Sequence, residues 1–369
     1  MTKKSNIKLD ESKIMYHPDR LSEWGSTGKT TPITIDMALT QSCNYRCQYC
    51  YSKHFQIRRG SRITWKIAQE FLDDCAGLGV RGISLVSDGE STCNPIYADF
   101  ITYGKKKGID MALGTNGDLL TEKSLSKILP ALTYLRFNVS AGTRKGYCAV
   151  HGVGPKHYFQ VLDNIMMAVR LKKEMGLKCT IGLQMVLMPK NGRDIIPLAK
   201  AGRFLGVDYL VIKHCSDDEK GGLGIDYSKY AQLYGLLKEA ETYSTDSYKV
   251  VVKWSKIKAG NKRNYSRCYG PRFHLQISGS GLVAPCGMLF SDKYSRYHIG
   301  DFTKQRFKDI VRGERYEEIM SELESDQFDA RSMCGCLCLQ HKTNEVLNKI
   351  MMGMEPNICR GEIEHRNFI

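Results

Sequence analysis

From residue 33 onward the chain alternates short apolar runs with helical patterns, and no other feature limits its fold so strongly. ITIDMAL (33–39) comes first. TWKIAQEFLDDCAGLG follows, with Thr64 placed as an N-cap, Ile67, Phe71 and Cys75 at i, i+4 and i+8, and Gly77 and Gly79 as stops. The later strands are GISLVSDGE (82–90), DMALGTNG (110–117), YLRFNVSAG (134–142), CTIGLQMVLMP (179–189) and DYLVIKHCSD (208–217). Helical stretches separate them: after Asn94-Pro95, over 121–129, near 158–175 and near 194–205. Six short apolar strands, read as buried on both faces, predict a parallel sheet with right-handed crossovers. Six βα units suit an open, partial (β/α)6 barrel rather than the closed eightfold one.

Chemistry on such a sheet collects at the C-terminal ends of the strands. The unusual polar clusters fall there: three cysteines after the first strand, SDGES after the second, TNG after the third, SAG after the fourth and KHCSD after the sixth. The alternation then stops. A Gly-rich joint (219–224) leads to a helix over about 226–243 and a short strand, YKVVVKW (248–254). In CYGPRFHLQISGSGLVAPC, the alternating Phe273, Leu275 and Ile277, the Gly279–Gly281 turn and Leu282-Val283 predict a hairpin with a cysteine at each end. A helical stretch near 304–323 and the run CGCLC (334–338) follow. The expected organisation is an N-terminal extension (1–32), the barrel (33–217), a linker with a helix and a short strand (218–262), a small α+β domain (263–340) and a C-terminal tail (341–369).

No run approaches the length of a membrane span, and the basic start MTKKSNIKLDESK lacks the apolar stretch of a secretory signal. A cytoplasmic protein with no membrane partner is expected, so the 14 cysteines argue for metal or redox use rather than disulfides. Cys75 and Cys179 sit in apolar patterns and read as core residues. A net charge of +15 favours acidic partners: a phosphorylated metabolite, an acidic peptide, a nucleic acid or a reductant with an acidic face. A solubilising surface explains the same charge equally well.

The densest cysteine cluster is SCNYRCQYCY, with spacing Cys43-x3-Cys47-x2-Cys50. Iron–sulfur clusters take thiolates at such spacings, usually four. Three therefore predict a [4Fe–4S] centre with one iron left for an exogenous ligand; the alternative is a zinc knuckle closed by a distant His or Cys. With Tyr49 just before the last cysteine, the loop closely resembles the signature of the radical S-adenosylmethionine (SAM) enzymes. The resemblance implies a TIM-like partial barrel over 33–217. It also implies that the methionine moiety of SAM chelates the open iron, and that reduction releases a 5′-deoxyadenosyl radical that takes a hydrogen atom from the substrate.

Further matches follow from the resemblance residue by residue. Asp88-Gly89-Glu90 looks like the family's GGE, which meets the SAM amino group, with Asp in place of the first glycine. Thr115, Asn116, Asn138 and Ser140 stand where the family contacts the ribose and the methionine carboxylate. Gln184 stands where it could face the adenosine. Cys268-x12-Gly281-x4-Cys286 resembles the start of the family's SPASM and twitch domains, which hold auxiliary clusters. The full SPASM pattern is not met, since only six cysteines lie beyond residue 260. One auxiliary [4Fe–4S] cluster is expected, on Cys268, Cys286 and two of Cys334, Cys336 and Cys338, with Cys359 a spare thiol and a zinc ribbon the alternative.

An auxiliary cluster beside a radical site suggests net oxidation or direct substrate ligation. Peptide maturases of this family often begin with a leader-binding domain, and only 42 residues precede Cys43. A small polar or anionic substrate (a sugar, aminocyclitol or nucleotide-like molecule) is therefore expected, with a reductant such as flavodoxin or ferredoxin. Cys215, at the end of strand six, could return a hydrogen atom and make the reaction an epimerisation. Lys213, His214, Tyr209 and Asp217 are candidates for substrate contact. The other readings are a peptide maturase, a nucleic-acid-modifying radical enzyme suggested by the basic stretch 253–263, and an electron carrier or redox sensor that would not cleave SAM.

Overall fold

The computed structural model describes residues 13–54, 62–218, 220–260, 262–335 and 338–369. Its frame is a ten-stranded sheet. Strands β1 (Thr34–Met37), β2 (Gly82–Leu85), β3 (Asp110–Thr115), β4 (Leu132–Asn138), β5 (Thr180–Leu187) and β6 (Tyr209–His214) lie side by side in chain order, all parallel. These six strands are the partial barrel. Helices fall between them close to the expected positions. Thr64 precedes the helix Trp65–Leu78, and Thr121 caps Glu122–Ile128 by accepting from Ser124 N.

The sheet does not stop at six strands. β7 (Lys249–Val252) adds in parallel to β6, so the segment expected to be a linker extends the barrel. At the other edge β8 (His274–Ile277) pairs in parallel with β1. β8 then turns back through β9 (Leu282–Ala284), the predicted hairpin, and β10 (Gly300–Asp301) completes the order β10-β9-β8-β1-β2-β3-β4-β5-β6-β7. The small C-terminal domain is thus continuous with the barrel wall. Phe71 of the helix Trp65–Leu78 fixes the join, its ring centroid lying 4.8 Å from those of Phe302 and Phe307. Arg306 adds a two-pronged ion pair to buried Asp74, Nε to Oδ2 at 3.0 Å and Nη2 to Oδ1 at 2.6 Å.

The strands are not apolar on both faces. In β4, Leu135 and Phe137 point out into the helical layer, whereas Tyr134, Arg136 and Asn138 point into the barrel. The same alternation sends Ile35 and Met37 of β1 outward and Thr34 and Asp36 inward. The barrel therefore has an apolar outside, buried under helices, and a polar inside.

The two ends of the chain close the N-terminal ends of the strands. In the expected N-terminal extension, the helix Pro18–Thr27 packs Trp24 edge-on against Tyr269 and Phe273. The expected tail is also structured. Its helix His341–Met351 packs Leu347 into the same cluster as Trp24. The last residues run beneath the sheet, where Asn367 O accepts from Thr34 Oγ1 at 2.7 Å and Lys13 Nζ donates to Phe368 O at 3.0 Å.

Candidate functional site

A cavity of about 310 Å³ fills the barrel from the cysteine loop down to Phe368 and Ile369. Cys43, Cys47 and Cys50 line its rim, and each sulfur meets a protein hydrogen-bonding group. Tyr45 N donates to Cys43 Sγ at 3.4 Å, His151 Nδ1 lies 3.2 Å from Cys47 Sγ, and Ser52 Oγ lies 2.7 Å from Cys50 Sγ. The tautomer of His151 follows from its other nitrogen. Ser140 N–H donates to Nε2 at 3.0 Å, so the ring proton sits on Nδ1 and points at the Cys47 sulfur. The imidazole is fully buried beside the rings of Tyr45, Tyr49 and Tyr147, and burial lowers its pKa to about 3.

Glu90 lies across the loop from the cysteines and also lines the cavity. Its carboxylate accepts from Thr92 N and Oγ1, from Thr115 Oγ1 at 2.9 Å and from Asn116 N at 2.8 Å. Burial raises its pKa, and these donors offset only part of that rise. Gly89 is a glycine because the backbone of Thr40 passes against it; a Cβ there would meet Thr40 O at 1.9 Å. Tyr49, Gly89, Asn116, Asn138 and Gln184 all line the cavity, with Gln184 Nε2 donating to Asn138 Oδ1 at 3.0 Å.

Four expected site residues are placed otherwise. Asp88 is not on the cavity wall. Its carboxylate accepts from Gln41 Nε2, Ser278 Oγ and Gly279 N, and so ties the β2 loop to the β8–β9 hairpin. Thr115 positions Glu90 rather than facing the cavity. Ser140 spends its hydroxyl on Val186 N and its own N–H on His151. Cys215 is fully buried in a small apolar cluster with Val150, Val186 and Met188, its thiol near the carbonyls of Tyr49 and Ser216. Burial raises that thiol's pKa to about 12. Cys215 is not among the residues that line the cavity, although its neighbours Lys213, His214 and Ser216 are. Of the substrate candidates, Lys213, His214 and Tyr209 line the cavity, whereas Asp217 turns to the backbone of Asp218 and Leu223.

The second cysteine set gathers behind the hairpin. Cys268, Cys286, Cys334 and Cys338 act on one another electrostatically, and burial pushes the thiols of Cys268 and Cys286 well up. Cys336 lies outside the described residues. Asn344, in the segment expected to be a tail, bridges two of the sulfurs: Nδ2 lies 3.6 Å from both Cys268 Sγ and Cys338 Sγ. Its Oδ1 is taken by Gly270 N at 2.8 Å, which fixes the amide with its N–H groups toward sulfur. Arg263 feels the same cysteines and is anchored on the carbonyls of Ala330 and Gly335. Within the basic stretch 253–263, Lys253 and Lys256 lie on the cavity wall, whereas Lys258 and Lys262 are exposed. Cys359 lies apart from this set, beside the N-terminal helix cluster.

Both sets fit an iron–sulfur cluster by the chemistry of their donors. Sulfur ligands dominate, and N–H or O–H groups are aimed at the sulfurs, as metal-bound thiolates favour. Among the described residues no group of three or more His, Cys, Asp or Glu is arranged to hold a single metal ion. A cubane attaches its thiolates to four separate irons and so takes a wider set. No helix among the described residues is long and apolar enough to cross a membrane.

Comparison with known proteins agrees with this geometry. Residues 37–201 match the radical SAM superfamily, and residues 268–338 match an iron–sulfur cluster-binding domain of SPASM type. The tungsten-containing aldehyde ferredoxin oxidoreductase cofactor-modifying protein of Pyrococcus furiosus is 26% identical over 48% of this chain and 50% of its own length. The chain thus spans about half of that relative. The AdoMet-dependent heme synthase of Methanosarcina barkeri is 22% identical over 82% of this chain and 88% of its own length. Among solved structures, Streptococcus suis SuiB bound to S-adenosylmethionine superposes with a TM-score of 0.64, covering 94% of this chain and 81% of its own at 15% identity, a likeness of fold. SuiB has also been solved with its precursor peptide SuiA.

Proposed function

The chain belongs to the radical SAM superfamily and carries a SPASM-type iron–sulfur domain, and from that premise we propose that it oxidises a small polar substrate inside the barrel. The family's cofactors are a SAM-binding [4Fe–4S] cluster, SAM and auxiliary iron–sulfur. When bound and reduced, the cluster and SAM would supply the radical chemistry that takes a hydrogen atom from the substrate.

The protein's own part is to hold, orient and keep dry. Cys43, Cys47 and Cys50 would hold the first cluster, three thiolates that leave a place for SAM. Glu90 accepts from the SAM ammonium; its four donors pre-set the carboxylate, so little order is lost on binding. Asn116, Asn138 and Gln184 are the polar groups for the remainder of SAM. Cys268, Cys286, Cys334 and Cys338 would hold one auxiliary cluster. Oxidation is preferred to epimerisation because the Cys215 thiol lies off the cavity, whereas an auxiliary cluster offers a destination for the substrate's electron. A flavodoxin or ferredoxin would supply the reducing electron.

The observation that carries this reading is the single cavity shared by three thiols, Glu90 and the polar inner face of the barrel. The test is anaerobic reconstitution with iron and sulfide, then dithionite and SAM. 5′-Deoxyadenosine should form, and its yield should rise with a low-molecular-weight metabolite fraction. No 5′-deoxyadenosine from reconstituted protein overturns the radical reading. A rise with peptides alone replaces the small substrate by a peptide, the reading that the likeness to SuiB favours.

A further inference from the structure

The two thiol sets stand in fields of opposite sign. Beside the loop set the charged side chain is an acid: the Glu90 carboxylate acts on Cys43 and Cys47. Beside the second set it is a cation. Arg263 acts on Cys286, and Cys334, Cys338 and Cys268 act on Arg263 in turn. Two hydrogen bonds hold the guanidinium there. Nη1 donates to Ala330 O and Nη2 to the carbonyl of Gly335, the residue next to Cys334. Its Nε is buried with no hydrogen-bond partner among the described residues.

A carboxylate would be the ordinary counter-ion, and none of the described residues brings one within ion-pair distance of Arg263. Asp329, which feels Arg263, is taken by Arg331 through both oxygens, at 2.9 and 2.7 Å. The backbone of Asp217 and Asp218 passes against Gly335, but their carboxylates are engaged elsewhere. Asp217 accepts from Asp218 N and Leu223 N, and Asp218 pairs with Lys293 at 3.7 Å. A guanidinium without a counter-ion is costly to bury. Neutral thiols do not offset that cost. Thiolates around an iron–sulfur cluster do, since the whole assembly is anionic and gains one more negative charge on reduction. The neutral donors lean the same way: Asn344 Nδ2 lies 3.6 Å from two of the sulfurs, and Tyr265, buried against His341, also reaches Cys338.

We propose that Arg263 is the counter-ion of the auxiliary cluster and raises its reduction potential, which poises that centre to take the electron released in substrate oxidation. The sign follows from Coulomb's law in a site of low dielectric: a fixed cation favours the redox state with more negative charge. In the oxidation, the substrate radical left by hydrogen-atom removal gives one proton to water and one electron to the oxidised auxiliary cluster, which ends reduced by one electron. Arg263 acts through the cluster and not on the substrate. The inference rests on the assignment of that cluster to Cys268, Cys286, Cys334 and Cys338.

The test is redox titration of the reconstituted protein followed by electron paramagnetic resonance, the second centre being the signal that Cys268→Ala abolishes. Arg263→Gln should make that centre about tenfold harder to reduce, a downward shift of about 59 mV for one electron. The loop centre should keep its potential. Arg263→Lys, which keeps the charge and loses the fork, should assemble the second cluster and stay close to the wild-type potential. Equal potentials of the second centre in wild type and Arg263→Gln, or a shift shared equally by both centres, overturn the proposal. So does Arg263→Lys behaving like Arg263→Gln, in potential or in loss of the cluster, because the arginine is then a staple for the 330–335 segment and its charge is idle. Loss of the cluster in Arg263→Gln with retention in Arg263→Lys supports the counter-ion role. A second signal that survives Cys268→Ala would sink the assignment of the cluster instead, whatever Arg263 does.

Discussion

Three thiols of the first set hang from one loop between Cys43 and Cys50, at the rim of the barrel cavity, whereas the second set is drawn from segments up to 70 residues apart, Cys268 to Cys338. The first set has its geometry dictated by local spacing. The second depends on the hairpin, on the run around Cys334 and on Asn344 from a helix beyond it. A centre that must admit a ligand is built on a loop at the edge of a cavity. A cluster-binding set with no ligand to admit can be walled in by side chains from every direction. The hydrogen-bond donors differ in the same sense: His151 reaches one sulfur of the loop, and Asn344 clamps two sulfurs of the enclosed set.

The sharpest way to break this contrast is to delete one ligand from each set. Cys47→Ala should remove about four irons and reduce 5′-deoxyadenosine to background, with a small change in thermal midpoint because the loop is peripheral. Cys268→Ala should also cost about four irons, but with a clear drop in midpoint, since its thiol is enclosed by the packed hairpin. Equal midpoint losses for the two variants would erase the distinction. The membership of the enclosed set is tested next: Cys336→Ala should keep about eight irons, and Cys338→Ala should not. Iron and sulfide analysis reads both.

A finer test concerns the donors. An N–H aimed at a thiolate favours the reduced, more negative cluster. His151→Phe should therefore move the potential of the SAM-binding centre downward, and Asn344→Ala that of the auxiliary centre, each on the order of tens of millivolts. Protein-film or redox-titration spectroscopy resolves the two, and a shift of the wrong centre would refute the pairing.

The last effect lies away from both sites. His17 Nδ1 accepts from Arg81 at 2.8 Å while Nε2 donates to Arg366 O at 3.1 Å, so the ring is neutral, and burial lowers its pKa to about 4. The unfolded chain binds this proton near pH 6.5, the folded one only near pH 4, so the stabilisation is whole above pH 6.5 and lost as pH falls toward 4. The loss should be about 2 to 3 kcal/mol at pH 4.5. Urea denaturation of wild type against His17→Gln checks it; an identical acid loss in the variant would remove His17 as the cause.

Local patterns carried much of the fold. The six barrel strands, the N-cap position of Thr64, the hairpin and both cysteine groups stand close to where spacing places them. The inner face was also written in the strands. Tyr134-Leu-Arg-Phe-Asn138 alternates polar and apolar, a period-two signal hidden by reading the strands as uniformly buried. Asp88 was legible only as part of a loop motif, because the groups that claim its carboxylate, Ser278 and Gly279, are about 190 residues away. His151 carried no motif. It ends a short helix, Arg144–His151, that the pattern of residues did not reveal.

Residue spacing by itself determined that this protein has a parallel βα sheet with a three-thiol loop at the C-terminal end of its first strand, because strand periodicity and ligand spacing are both properties of neighbouring residues. Only the tertiary structure decided that β8 pairs with β1 at one side of the barrel, that Asn344 closes on the second thiol set, that Cys215 lies off the cavity lining and that Arg136 is part of it. Those outcomes depend on which distant surfaces must be buried together, and burial is a property of the whole chain rather than of any stretch of it.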